Sequence, residues 1–209
     1  MSAHHHHEEG VGDGRATSPY AARIRAIEAL LVERGVLTEA GVQDRIAHMD
    51  SRSPANGARL VARAWVDPDF KELLLSDGKA AARELGIDPS HPAEFVVVEN
   101  TPDVHNLIVC TLCSCYPRAV LGRPPDWYKS FAYRSRAVRE PRSVLREFGF
   151  VPPDDVEVVV HDSTADVRYM VLPLRPEGTE GMDEEELAGL VTRDSLVGAG
   201  VPQAPARTL

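Results

Sequence analysis

Cysteine is scarce in this chain: there are three in 209 residues, all between positions 110 and 115. Long-range disulfides are therefore excluded, and with them the framework of a small disulfide-stapled secreted domain. No apolar run is long enough to span a bilayer, and the first residues lack the charged, apolar and small succession of a signal peptide. The expectation is a cytoplasmic protein with no membrane partner, whose thiols stay reduced until a metal arrives. Positive charge is also in deficit, with 23 Lys and Arg against 32 Asp and Glu, a formal net charge of −9. Nucleic acid is thereby disfavoured as a partner. No internal repeat divides the sequence. The length suffices for one respectable core with an extended arm.

What the chain does have is Val109-Cys110-Thr111-Leu112-Cys113-Ser114-Cys115-Tyr116. Clustered thiols without a distant partner point to a metal or redox site. In Cys113-Ser114-Cys115, deprotonation of the Ser114 and Cys115 amides would offer two sulfurs and two nitrogens, closing chelate rings of six, five and five members. Cys110 can curl back to place a third sulfur below that plane, leaving a sixth position open, as catalytic metal sites require. Such soft, strongly donating ligands suit a low-spin trivalent first-row ion better than structural zinc. Two alternatives stand beside this. A structural zinc would need a fourth ligand such as His105, and a thioredoxin-like pair of Cys110 and Cys113 would leave Cys115 unexplained.

The pass along the chain predicts an α+β protein: an N-terminal helical arm, then a small, mainly antiparallel sheet layered with helices. Residues 1–17, with their histidine run at 4–7, read as a disordered tail or tag. Residues 18–50 read as the arm, 51–200 as the catalytic metal-binding domain, and 201–209 as an extended tail. Ile24, Ile27, Leu30 and Leu31 share a helical face that Gly35 ends, and Thr38 opens a second helix. The arm either clasps another subunit or packs as a hairpin on its own core. Helices follow at 56–65, 69–76 and 77–85, the second of these capped by Asp67-Pro68. Strands are expected at 95–99 and 106–109, the latter feeding the thiol run. A helix is expected at 142–148. Residues 156–160 and 167–171 alternate like two strands of an antiparallel pair. Asp183 caps a helix to Leu190, with another at 192–198.

The thiol run resembles the metal claw of nitrile hydratase α subunits, with Thr111 and Tyr116 as in cobalt-type members; iron-type members have Ser and Thr there. The resemblance continues through Val120-Leu121-Gly122, Pro124 to Lys129, Tyr133 to Arg136, Arg139 to Arg142, Asp162-Ser163, Arg168 to Pro173 and Arg175 to Gly181. Upstream it includes Ala64 to Phe70 and Val98 to Thr101, so it covers roughly residues 20–203. The metal subunit of thiocyanate hydrolase shares the claw. Arg118 stands where nitrile hydratases usually carry Trp, and an arginine there resembles thiocyanate hydrolase. Leu174, Met182 and His91 are further departures. Together they suggest a specialised relative, such as a nucleoside-nitrile (toyocamycin) hydratase.

That resemblance implies hydration of a nitrile to an amide, with Co(III), or alternatively Fe(III), bound once per chain by Cys110, Cys113, Ser114 and Cys115. Cys113 becomes a sulfinic and Cys115 a sulfenic acid. The attacking oxygen is either that of an activated water or the sulfenate oxygen of Cys115, and Ser114 lies near the substrate or serves as a plain linker. Asp162 and Arg168 match positions supporting the centre at the subunit interface; otherwise they form a surface ion pair. Arg118 clamps an anion, polarises a heterocyclic substrate, or pairs with an acidic side chain. Trp127 and Tyr128 read as packing residues. Three thiolates and two amidates outweigh a trivalent ion by two negative charges, so arginines must be close. The resemblance assigns two to a β subunit, with a small activator or cobalt chaperone as a further partner. Without them this chain would be an inactive metal carrier.

Overall fold

Capping residues and glycines set the ends of most helices. The computed structural model describes residues 19–89 and 91–205. The expected tail at 1–17, its histidines, and residues 206–209 lie outside the described residues. The described chain divides into two units, one running through Ser51 and one starting at Arg52.

The first unit is a pair of helices, α1 (Pro19–Glu33) and α2 (Glu39–Asp50). Gly35, at φ +68°, supplies the left-handed turn that ends α1, a conformation a Cβ would strain. The Thr38 side chain accepts the Gly41 amide and starts α2. Ile24, Ile27, Leu30, Ile46 and Met49 are exposed, and α2 buries no residue.

The second unit opens with α3 (Pro54–Val66), α4 (Pro68–Ser76) and α5 (Gly78–Glu84). Asp67 caps α4 by accepting the Asp69 and Phe70 amides, and Asp77 caps α5 through Ala80. These bonds hold the Asp67 carboxyl below its ordinary range, the Phe70 amide first. Leu60, Val61, Ala62, Leu74, Ala81 and Ala82 are wholly buried. Strands β1 (Glu94–Glu99) and β2 (Val104–Val109) follow. Four short helices come next: α6 (Arg118–Leu121), α7 (Asp126–Lys129), α8 (Phe131–Arg139) and α9 (Pro141–Glu147). Strands β3 (Glu157–Asp162) and β4 (Val167–Leu172) precede α10 (Glu184–Leu190) and α11 (Arg193–Leu196).

The expected antiparallel pairing of β3 with β4 is wrong. Instead β1 pairs in parallel with β4, and β2 in parallel with β3. A tight turn does join β3 to β4: Thr164 N donates to Val167 O, and the Thr164 hydroxyl accepts the Val167 amide. The strands then part because each already has a neighbour. Ser163 N donates to Val109 O, and Glu94 N donates to Asp166 O. A matching turn at Thr101 and Val104 separates β1 from β2. Alternation records which faces are apolar, not which distant strand takes the edge.

Between these turns sits a buried polar knot. Asn106 N donates to Asn100 Oδ1 at 2.8 Å, and Asn106 Nδ2 donates to Glu99 O at 2.8 Å. His105 Nε2 lies 2.8 Å from Gly198 O, which only accepts, so Nε2 carries the proton; Nδ1 then accepts from Asn100 Nδ2 at 3.2 Å. By the same logic His161 Nε2 donates to Asn106 Oδ1 at 2.8 Å. Burial lowers the pKa of both imidazoles, and at His105 the Gly198 carbonyl opposes it. Gly198 has no room for a side chain: a Cβ there would lie 1.8 Å from Asn106 O. The knot fixes β2, and β2 leads directly into the thiols.

Candidate metal centre

Strand β2 is driven inward. Leu107, Ile108, Val109 and Cys110 are fully buried, so the first thiol is delivered inside the core. The chain then surfaces: Leu112 is 86% exposed and Cys113 is also exposed. It returns through half-buried Ser114 and Cys115 to buried Tyr116. The loop has no helix or strand of its own, and side chains hold it in place. Thr111 donates twice to the Asp162 carboxylate, from N to Oδ1 at 2.9 Å and from Oγ1 to Oδ2 at 2.6 Å. Arg134 Nη1 donates to Thr111 O at 3.3 Å. The Tyr128 hydroxyl donates to Cys115 O at 3.0 Å, and that of Tyr133 to Ile108 O at 2.6 Å.

This framing brings the sulfurs together. Cys110 Sγ is 3.5 Å from Cys113 Sγ, Cys113 Sγ is 3.1 Å from Cys115 Sγ, and all three lie within 4.8 Å of one another. Sulfurs bound at right angles to one ion, each at roughly 2.3 Å, lie roughly 3.2 Å apart. The backbone takes part as well: Cys113 N donates to Cys110 Sγ at 3.3 Å, and the neighbouring Ser114 and Cys115 amides help to lower the pKa of Cys113. Three sulfurs thus face one small volume. The donor set fits a single soft cation.

Protonation follows the same asymmetry. Hydrogen bonds from Cys115 and then Cys110 lower the pKa of exposed Cys113. Burial first, then the bonds to Cys113 and Cys110, push Cys115 up to about 12, with the Arg168 charge pulling the other way. Cys113 is thus the most acidic position of the trio, favoured by its neighbours as donors. Full deprotonation of the trio needs a cation to replace those protons, which couples metal binding to proton release.

The remaining sequence-predicted residues fall at different distances from this cluster. Asp162 touches the loop directly through Thr111. Arg168, on β4, donates to its own Val167 carbonyl and acts on Cys115 through its field. Asp162 and Arg168 have no ion pair with each other among those recorded for the described residues. Arg118 is exposed at the first position of α6. Its charge reaches His91, whose pKa is lowered by desolvation first and then by Arg168, Lys79, Arg118 and Arg52. His105 is spent in the polar knot on both ring nitrogens, which removes it as a zinc ligand. Cys110 and Cys113 form no separate pair, because Cys115 is nearer to Cys113 than Cys110 is.

Sequence reasoning missed the grip of Tyr128 and Arg134 on the loop, and that of Tyr133 on the strand beneath it. Trp127 does pack as expected, edge-on against Tyr133 and Phe148. Tyr128 packs too, but its hydroxyl has a second task. The available signal was chemical: a tyrosine fully inside a core must find an acceptor, and a thiol loop without regular structure has carbonyls to spare.

The family described as nitrile hydratase, alpha chain, matches residues 18–200. The α subunit of the low-molecular weight cobalt-containing nitrile hydratase of Rhodococcus rhodochrous is 54% identical over 198 residues, 92% of this chain and 94% of that one. A solved double mutant of the Fe-type nitrile hydratase from Comamonas testosteroni Ni1 aligns with TM-score 0.77 and 47% identity, covering 92% of this chain and 96% of that one. A recombinant thiocyanate hydrolase with partially modified cobalt centres aligns with TM-score 0.79 and 38% identity, over 92% and 96%.

Proposed function

The chain belongs to the nitrile hydratase α-chain family, and from that premise we propose that it is the cobalt-binding catalytic subunit of an enzyme that hydrates a nitrile to the corresponding amide. The single observation that carries this reading is the convergence of three sulfurs from one loop to within 4.8 Å of one another. Cys110, Cys113 and Cys115 hold the ion through sulfur, and Ser114 and Cys115 hold it through their amide nitrogens. One ion is held per chain, Co(III), with Fe(III) the alternative. When bound, it supplies Lewis acidity toward the carbon–nitrogen triple bond.

The chain's own residues do the rest. Buried Cys110 anchors the loop from beneath, and Asp162 fixes Thr111 so that the chain leaves β2 in one direction. Exposed Cys113 and half-buried Cys115 are the sulfurs open to oxidation, to sulfinic and sulfenic acid respectively. Ser114 lies between them, at the open side where substrate arrives. Arg168 tempers the negative charge of the cluster. Two more arginines come from a β-type subunit seated over the exposed loop, and a small activator loads the metal. The exposed apolar residues of α1 and α2 give residues 18–50 the character of an arm that clasps that subunit. Alone, the chain carries metal without turning over. Among the described residues no helix is long and apolar enough to cross a membrane, in keeping with a cytoplasmic enzyme.

Arg118 supports a second reading, thiocyanate hydrolysis, because an exposed guanidinium three residues past Cys115 suits an anion. The higher identity to the solved nitrile hydratase than to the solved thiocyanate hydrolase, 47% against 38%, favours the first. Replacing Trp by Arg at the pocket points to a specialised, polar nitrile such as a nucleoside nitrile. Co-expression with the partner subunit and cobalt, followed by product analysis, tests this. Amide from a nitrile panel is the expected result. Carbonyl sulfide and ammonia from thiocyanate, with no amide from any nitrile, would transfer the chain to the second reading.

A further inference from the structure

The loop is gripped on both sides of its first thiol from one dipeptide, Asp162-Ser163. Asp162 takes Thr111, just after the first thiol, and Ser163 N donates to Val109 O at 2.7 Å, just before it. At the far end, among the described residues, the side-chain bond to a carbonyl of Cys113, Ser114 or Cys115 is that of Tyr128 to Cys115 O. Tyr128 is fully buried, and Ser163, 2% exposed, lies near enough to its phenol to pull the hydroxyl's pKa down against burial. Ser163 Oγ in turn accepts the Tyr169 amide at 3.4 Å, tying the phenol to the start of β4.

We infer that Tyr128 is a positioning residue for the thiol loop, which sets the orientation of Cys115, and hence of its sulfur, through the Cys115 carbonyl. The argument is geometric. Cys115 Sγ lies 3.1 Å from Cys113 Sγ, and the Cys115 carbonyl is held by Tyr128 at 3.0 Å. With the following peptide plane fixed by that bond, the Cβ and Sγ have little freedom left. Tyr128 cannot swing away, because its ring lies edge-on to Tyr116 at 5.0 Å and to Trp127 at 5.9 Å. Without the hydroxyl, the Cys115 carbonyl would turn to find another donor and take the sulfur with it. A ligand set demanding near-fixed angles is sensitive to such a turn. This inference rests on the proposed metal role of Cys115.

Tyr128→Phe keeps the ring and removes only the hydroxyl. In the cobalt-loaded assembly with its partner subunit, the sulfur-to-cobalt charge-transfer band is expected to shift. With it kcat is expected to drop about 10-fold, at a KM within twofold. In the metal-free chain, deuterium uptake by the loop peptide is expected to rise several-fold. Tyr133→Phe provides the contrast: it frees a strand carbonyl, so it should lower the thermal midpoint while leaving the band in place. Should Tyr128→Phe fail to fold, Ser163→Ala, which loosens the phenol, is expected to shift the band in the same direction by less. An unmoved band and unchanged loop exchange in Tyr128→Phe, or in Ser163→Ala if that variant must decide, overturn the inference. If instead the wild-type assembly binds no cobalt and forms no amide, it is the proposed function that fails.

Discussion

Two irregular polar assemblies lie at opposite ends of β2, and they are finished differently. At its start, Asn100, His105, Asn106 and His161 use their ring and amide groups on one another and on Glu99 and Gly198 carbonyls. At its end, the three thiols have mainly each other, with the Cys113 amide on Cys110 Sγ. The first is closed and buried, and its contribution is stability. The second is held rigidly from outside but left with its own donors and acceptors unspent. A folded chain keeps such an incomplete group only where something from outside completes it.

The contrast should survive, and be sharpened by, mutation. Cys115→Ala is expected to abolish cobalt binding and turnover, a loss of roughly 10³-fold or more, while moving stability by less than about 1 kcal/mol because the residue is half-buried. Metal analysis beside a denaturant melt checks both halves. Asn106→Ala should do the opposite. It strips partners from Asn100, His161 and Glu99, costing about 3 kcal/mol, yet the surviving folded protein should still take up one cobalt per chain.

Asp162→Asn tests the link between the two assemblies. Thr111 would keep one of its two bonds to position 162, and cobalt affinity, measured by competition with a chelator, should fall roughly 10-fold. Unchanged affinity would mean that the loop is shaped from within.

Acid provides the smallest test. Burial lowers the folded-state pKa of His105 and His161 below the ordinary histidine value of about 6.5. Above that value both states hold neutral imidazole and the knot is intact. As pH falls below it the unfolded chain takes up protons first, so stability declines. The thermal midpoint of the metal-free protein is expected to drop from pH 7 toward pH 5, and the decline should shrink in His161→Gln.

The thiol cluster was legible in the sequence because it is local: Cys110, Cys113 and Cys115 lie within six residues of one another and their sulfurs meet. Helix limits were legible for the same reason, through Thr38, Asp67, Asp77 and Asp183, each capping a few residues ahead. The strand pairing was not, since β1 finds β4 and β2 finds β3 across long stretches of chain, while the short turn between β3 and β4 imitates a hairpin. The grip of Tyr128 on Cys115 was hidden too. The helix pattern showed that its ring is buried but not where its hydroxyl ends.

The central claim is that one loop supplies three sulfurs and two main-chain nitrogens to one cobalt. X-ray absorption at the cobalt edge, on the assembly loaded with one ion per chain, measures this directly. The account predicts a shell of three sulfur neighbours with two nitrogen neighbours and no imidazole scattering. A shell dominated by imidazole or carboxylate, or sulfurs without the two nitrogens, would contradict it.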